Sequence, residues 1–301
     1  VDAAFDARLR READVWLTVR THDGTLPITR DELEEFEIDG RPFKLKDRQR
    51  GIRKPKELAA ALSISTSYVP PGQPRRYDDA VGPDGLIRYK YRDDQRGAAD
   101  NEALRAAMRD GVPIFWFFGI APGVYKPIYP IFVVGEEAEQ EQFVIAPDTV
   151  RGVVAPGTTD ENLRRYALRQ TWQRLHQPVF RATVLHAYAS RCAVCSLRHP
   201  ELLDAAHIAP DRTEGGIASV RNGLALCTIH HRAYDVSVLG IRPDLVVEIR
   251  HDLLDEIDGP MLEHGLQRRH RQPLMVVPTR RADRPDPVLL AERYEVFRTA
   301  G

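Results

Sequence analysis

The sequence predicts an α+β chain of two domains. The N-terminal one is a strand-rich curved sheet or barrel. The C-terminal one is a small unit of two strands and a helix around a cysteine–histidine cluster. Three observations point there. Residues 61–146 hold a series of apolar, aromatic runs punctuated by Gly and Pro, with few helical stretches. Residues 147–160, rich in Pro, Gly and Thr, read as a linker. All three cysteines of the 301-residue chain fall between 192 and 227.

The elements follow in order. Residues 5–20 read as a helix passing into a short strand, Val15 to Val19. Asp31 to Phe36 reads as a short acidic helix capped by Thr29. Arg48 to Lys56, broken by Gly51 and Pro55, is a basic loop. Ala61 to Tyr68 and Leu86 to Tyr91 alternate as strands do. Asn101, placed to cap, opens a helix to Arg109. Val112 to Ile120, Ile128 to Val134 and Gln142 to Ala146 are further strands. Beyond the linker, Glu161 to Leu175 is a basic amphipathic helix and Val179 to Ala189 a second one. The tail is helical from about Pro287. The predicted domains are 1–147 and 181–301, with 148–180 as linker and basic helix.

Composition excludes several classes. The longest uncharged apolar stretch, Gly111 to Tyr125, is too short and too Pro/Gly-rich to span a membrane. No basic region precedes an apolar core at the N-terminus, so a cytoplasmic chain without signal peptide is expected. Basic and acidic residues balance, 43 against 44, so net charge gives no argument for nucleic acid. Their distribution does. Residues 41–57 carry eight basic and two acidic side chains, and residues 162–191 carry six Arg and no acid. Such stretches can track a phosphate backbone.

Cys192 and Cys195 form a CxxC, and Cys227 and His230 a CxxH, with thirty-one residues between. Each pair offers two ligands from one tight turn, and the two pairs complete a tetrahedral zinc site. Four protein ligands close the shell, so this Zn²⁺ is expected to be structural. An odd, clustered cysteine count argues against a disulfide framework.

Around those pairs lie His207, Asn222 and His231, separated by fifteen and nine residues. This pattern resembles the HNH (ββα-metal) nuclease family over about residues 185–260. The resemblance implies phosphodiester hydrolysis with a divalent ion, Mg²⁺ or Mn²⁺. His207, ending an apolar strand, would act as general base on water. Asn222 would pin the loop that orients it. His231 and Asp235, i and i+4 on a helix, would hold the ion. Where many family members carry Asp or His before the first His, this chain has Ala206, and Asp204 is the nearest substitute.

In the N-terminal half, Gly51-Ile52, Ser63-Ile64, Tyr77-Asp78-Asp79, Asp84-Gly85, Tyr89 to Tyr91 and Asn101 to Leu104 occur in order. Taken together they resemble the SRA (YDG) domain over about residues 45–135. That family binds modified cytosine by flipping it out of the duplex. The resemblance implies stacking by Tyr77 and Tyr91 and an amine-accepting carboxylate at Asp79. Arg48, Arg50, Arg53 and Lys54 would contact phosphates beside the pocket. Arg92 stands where the family has Thr, and Tyr125 to Tyr129 replaces its later Tyr-Asp-Gly.

The expected function is therefore a modification-dependent endonuclease acting on double-stranded DNA that carries 5-methylcytosine or a relative, with a homodimer as one arrangement. Two alternatives stay open on these residues. One is a reader whose nuclease half keeps its zinc fold without activity, which Ala206 keeps alive. The other is an HNH nuclease with a different target.

Overall fold

The structure, a computed structural model, describes residues 2–70, 73, 80–92, 97–209 and 219–300. The chain divides into two compact units, Val1–Val179 and Phe180–Gly301. Of the stretch read as linker and basic helix, 148–180, residues 148–179 fall within the first. No helix among the described residues is long and apolar enough to cross a membrane.

The first unit is built on an eight-stranded sheet that curls into a half-barrel. Its order runs from Ile52–Arg53 through Ser63–Thr66, Ile114–Ala121, Val124–Glu137, Gln142–Pro147 and Ile87–Lys90 to Ala80–Val81. Ile28–Thr29 adds to Val124–Glu137. Ser63–Thr66 and Ile114–Ala121 pair in parallel, joined by a crossover that includes the helix Gly97–Asp110. The run Ile114–Ala121 is buried on both faces, which explains its unbroken apolar sequence.

The N-terminal helix spans Ala3–Arg20, capped by Asp2 on the N–H groups of Ala4 and Phe5. It continues through Val15 to Val19, where the sequence reading placed a strand. The i, i+4, i+8 series Leu9, Ala13 and Leu17 is buried against Ile28, Phe36, Phe115 and Phe117. Val15 and Val19 stay 59% and 71% exposed. The helical stripe outweighs the β-branched preference of the exposed residues. Thr29 caps Arg30–Leu33 as expected, and Glu32 returns a bond to its N–H.

Asn101 is not a cap. It lies inside the helix Gly97–Asp110, where its amide bonds both the N–H and the carbonyl of Arg92, at 3.0 and 3.2 Å. A buried amide that clamps a neighbouring backbone looks, in sequence, like a helix start.

Residues 148–160 are packed rather than free. Val150 and Val154 are buried with Leu86, Val144, Ala146 and Ala167. The Asp84-Gly85 pair pins this region. Asp84 accepts from the Gly157 N–H at 3.0 Å and from both guanidinium arms of Arg88, at 2.6 and 2.9 Å. Gly85 takes φ +81°, and a Cβ there would meet the Leu168 nitrogen at 2.5 Å, so only Gly admits the helix Glu161–Thr171 this closely.

Burial opposes ionisation of Asp84, but bonds from Arg88, Gly157 and Leu86 outweigh it and hold its pKa below the ordinary carboxylate value. A depressed folded pKa contributes stability that is present above the unfolded value, about 3.9, and lost as pH falls below it. Asp84→Ala is therefore expected to cost ~3–5 kcal/mol, because it leaves the Arg88 guanidinium buried beside fewer acceptors. Urea unfolding at neutral pH checks this. The difference between parent and variant should shrink as the pH is taken below the carboxylate range. A loss under about 1 kcal/mol, the scale of an exposed ion pair, would contradict the role.

The second unit centres on the antiparallel pair Leu203–His207 and Gly223–Cys227, followed by the helix Thr228–Asp235. A hairpin, Leu239–Ile241 with Val247–Ile249, and the helix Pro287–Thr299 complete it. Its core joins Phe180 and Val184 from the helix Gln177–Ala187, and Tyr188 just after it, to Ala206, Leu224, Leu226, Tyr234 and Leu290.

Candidate active site and metal centre

The strand Gly223–Cys227 ends where the helix Thr228–Asp235 begins, so Cys227 is its N-cap and His230 and His231 lie in its first turn. Cys192 and Cys195 come from a turn that Ala193 ties to this strand through a 2.7 Å bond to the Ala225 carbonyl. The turn closes with the Ser196 N–H on the Cys192 carbonyl, Ser196 taking a left-handed φ of 63°.

The ligand atoms of Cys192, Cys195, Cys227 and His230 all lie within 4.8 Å of one another. His230 Nδ1 is 3.0 Å from the Cys227 sulfur and 3.5 Å from that of Cys192. Its Nε2 is 2.8 Å from the Gly265 carbonyl, which fixes the ring so that Nδ1 faces the sulfurs. Burial works against protonation of this imidazole, yet Cys192 and Cys227 push its pKa up to about 10. Cys192 and Cys195 pull the Cys227 thiol well down. Three convergent sulfurs and one oriented imidazole fit a tetrahedral zinc ion. Among the described residues this is the one cluster whose three or more ligand atoms converge in that way.

His207 ends its strand in register with Gly223. The Phe180 ring stacks flat on it, centroids 4.0 Å apart at 17°. Gly223 permits this packing, since a Cβ there would meet Val184 at 2.4 Å and Phe180 at 3.0 Å. Asn222 grips the chain just beyond His207. Its amide accepts from the Ala209 N–H at 2.9 Å and donates to the Ala209 carbonyl at 3.0 Å, while its own carbonyl takes the Ile208 N–H at 2.9 Å. Arg221, beside it, is held by Asp286 at 2.8 Å.

His231 sits between two carboxylates. Asp204 is 3.4 Å from its Nδ1 and Asp235 3.6 Å from its Nε2. Asp204 raises the pKa of His231, burial opposes that, and Asp235 adds to the rise. Ala206 is fully buried, so Asp204, two residues earlier on the strand, supplies the acid opposite the helix. The structure thus brings Asp204, His231 and Asp235 together, with the carboxylates on opposite ring nitrogens rather than converging on one point. A divalent ion here would take one imidazole nitrogen and a carboxylate, completed by water and phosphate.

The N-terminal candidates are less gathered. Tyr77 and Asp79 lie outside the described residues. The Tyr91 ring packs on Phe143 at 4.9 Å, its hydroxyl bonds Glu136, and the Arg105 guanidinium lies 5.5 Å from its centroid. Arg48 and Lys54 are exposed. Arg50 pairs with Asp100 at 3.5 Å and Arg53 donates to the Lys44 carbonyl at 3.3 Å, so both are partly engaged within the unit. Arg92 is buried, its guanidinium on the Ser65 carbonyl and the Tyr89 hydroxyl, in space that a side chain at Gly51 would fill.

Sequence reasoning did not find Phe180, Gly223, Arg181 or the Gly265 carbonyl. Only the Asn-Gly pair, with Gly directly after Asn222, carried a local signal of close packing.

Residues 192–242 match the HNH endonuclease family model. A solved structure titled "Modification dependent TagI restriction endonuclease" is similar at 19% identity, over 81% of this chain and 84% of that one, with a TM-score of 0.28. No curated protein matches the chain. The segment matched to the HNH endonuclease family lies within the second unit and holds Cys192, Cys195, His207, Asn222, Cys227, His230 and His231.

Proposed function

We propose that this endonuclease is modification-dependent: the first unit reads a modified cytosine, 5-methylcytosine or a relative, and the HNH unit hydrolyses the backbone. The observation that supports the nuclease half is the match of residues 192–242 to the HNH endonuclease family, a segment that holds His207, Asn222 and His231. The reader half rests on the ordered SRA-like motifs, of which Ile52, Ser63-Ile64 and Tyr89 lie on strands of the curled sheet.

A divalent ion, when bound, stabilises charge on the scissile phosphate and the leaving oxygen. The residues would hold it through His231 with Asp204 or Asp235. His207 takes the proton of the attacking water on its imidazole. Phe180 keeps that ring in one plane, and Asn222 fixes the backbone that follows it. In the reader, Tyr77 and Tyr91 stack on the extruded base and Asp79 accepts from its amine. Arg48 and Lys54, exposed, contact phosphates, with Arg50 and Arg53 beside them.

Two digests test this reading. Plasmids differing only in cytosine methylation or hydroxymethylation, incubated with Mg²⁺ or Mn²⁺, should be cut only when modified. Equal cutting of unmodified plasmid sinks the reader assignment and leaves an HNH nuclease with another target.

Stacking on one aromatic is worth about 1–3 kcal/mol per base. Tyr91→Ala should therefore weaken binding to modified duplex roughly ten- to a hundredfold and leave salt-dependent binding to unmodified duplex nearly unchanged. Titration of both duplexes at fixed salt checks this. A parallel fall in both affinities would show that Tyr91 only supports the wall formed with Phe143 and Glu136.

A further inference from the structure

Arg181 lies on the helix Gln177–Ala187, outside every motif of the sequence, and is half-buried. Its Nη2 donates to the Pro200 carbonyl at 2.8 Å and to the Leu203 carbonyl at 2.7 Å. Its Nε stands 3.6 Å from Asp204 Oδ1, and Asp204 Oδ2 faces His231 Nδ1 at 3.4 Å. The guanidinium is thus fastened to the main chain on either side of the short turn that enters the strand Leu203–His207. From that anchorage it meets the carboxylate of the next residue.

We infer that Arg181 is a positioning residue for the nuclease reaction, a bracket that holds Asp204 in the rotamer facing His231 and so preorganises the divalent-ion site. The inference rests on the nuclease reading above.

The physical need is clear from exposure. The Asp204 side chain is 52% exposed, and an unheld carboxylate there would turn among its rotamers. One of its oxygens is already shared between the Ala205 N–H, at 2.8 Å, and Arg181, which leaves the other toward His231. Arg suits this task better than Lys. Its planar fork serves two carbonyls and a carboxylate at once, whereas an ammonium is a point charge on a flexible stem. Ala206 gives the strand no ligand of its own, so the site depends on Asp204 being held. A partner that orients a ligand typically changes metal affinity or activity by 10- to 100-fold.

The experiment uses the full-length, zinc-loaded protein. Binding of Mn²⁺ is measured by calorimetry for the parent, Arg181→Met, Arg181→Lys, Asp204→Asn and the double variant Arg181→Met/Asp204→Asn. Zinc content and melting temperature are recorded for each. Arg181→Met should bind Mn²⁺ about tenfold more weakly with zinc content unchanged. Arg181→Lys should fall between it and the parent. Arg181→Met should add nothing on the Asp204→Asn background, because both changes remove one interaction. Mn²⁺ affinity within twofold of the parent for both Arg181 variants overturns the bracket. So do independent, multiplying effects in the double variant, which would mean that Arg181 only secures the Pro200–Leu203 backbone. If Arg181→Met fails to fold, Arg181→Lys alone decides by the same criterion. A parent that binds no Mn²⁺ beyond its zinc overturns it too. Cleavage of 5-methylcytosine plasmid by the parent is scored separately. Its failure, with Mn²⁺ binding intact, counts against the modification-dependent reading and not against the bracket.

Discussion

His207→Ala is expected to reduce strand cleavage by ~10²–10⁴-fold, the usual cost of removing a general base. Binding to modified duplex should stay within about twofold, a change of under ~0.5 kcal/mol. The imidazole ends a strand in the HNH unit, stacked on Phe180 and followed by the Asn222 clamp on Ala209. Those supports reach the ring face and the succeeding backbone, so the substitution removes the base while the hairpin pairing of residue 207 with Gly223 stays possible. Single-turnover cleavage of modified plasmid and a filter-binding titration read the two quantities apart. Cleavage retained within about tenfold would mean that another group takes the proton. Asn222→Ala should also slow cleavage, by a smaller factor, since it acts through the loop and not on water. Measuring both variants side by side separates the base from its support.

Loss of zinc is the second large effect. The four proposed ligands come from three pieces that a zinc ion would tie together: the turn at Cys192, the end of the strand Gly223–Cys227, and the helix Thr228–Asp235. That helix also carries His231 and Asp235. Structural zinc sites of this kind contribute about 10–16 kcal/mol at neutral pH, more than a small domain's net stability. Cys195→Ser, or prolonged chelation, should therefore melt the second unit and abolish cleavage. The strand-rich first unit should keep its circular dichroism and its melting transition. Elemental analysis should find one tightly held zinc per folded chain. Folded, active protein without zinc would remove the metal from this account and leave the cluster as buried thiols.

The residues proposed for the nuclease and metal sites could be singled out in the sequence because their spacing is local. A CxxC or CxxH puts two ligands on one turn whatever the rest of the chain does. His207, Asn222 and His231 sit at spacings that a hairpin and the helix after it impose. Thr29 was legible as a cap for the same reason, since a capping box spans only four residues.

Tertiary structure decided what depends on distant segments. Val15, Thr18 and Val19 carry β-branched side chains, yet they are helical because Leu9, Ala13 and Leu17 bury together on Phe36 and Phe115. Asn101 resembles a cap, and its amide is spent on Arg92, nine residues away. The Pro- and Gly-rich run after Pro147 reads as linker, but Asp84 reaches Gly157 across seventy-three positions and holds it down. Around the proposed site residues, Phe180, Arg181 and the Gly265 carbonyl are set in place by packing, not by spacing. A sequence lists the groups that can react or bind a metal. The neighbours that fix their orientation are chosen by close packing and hydrogen bonding between segments far apart in the chain, and only the folded structure brings those segments together.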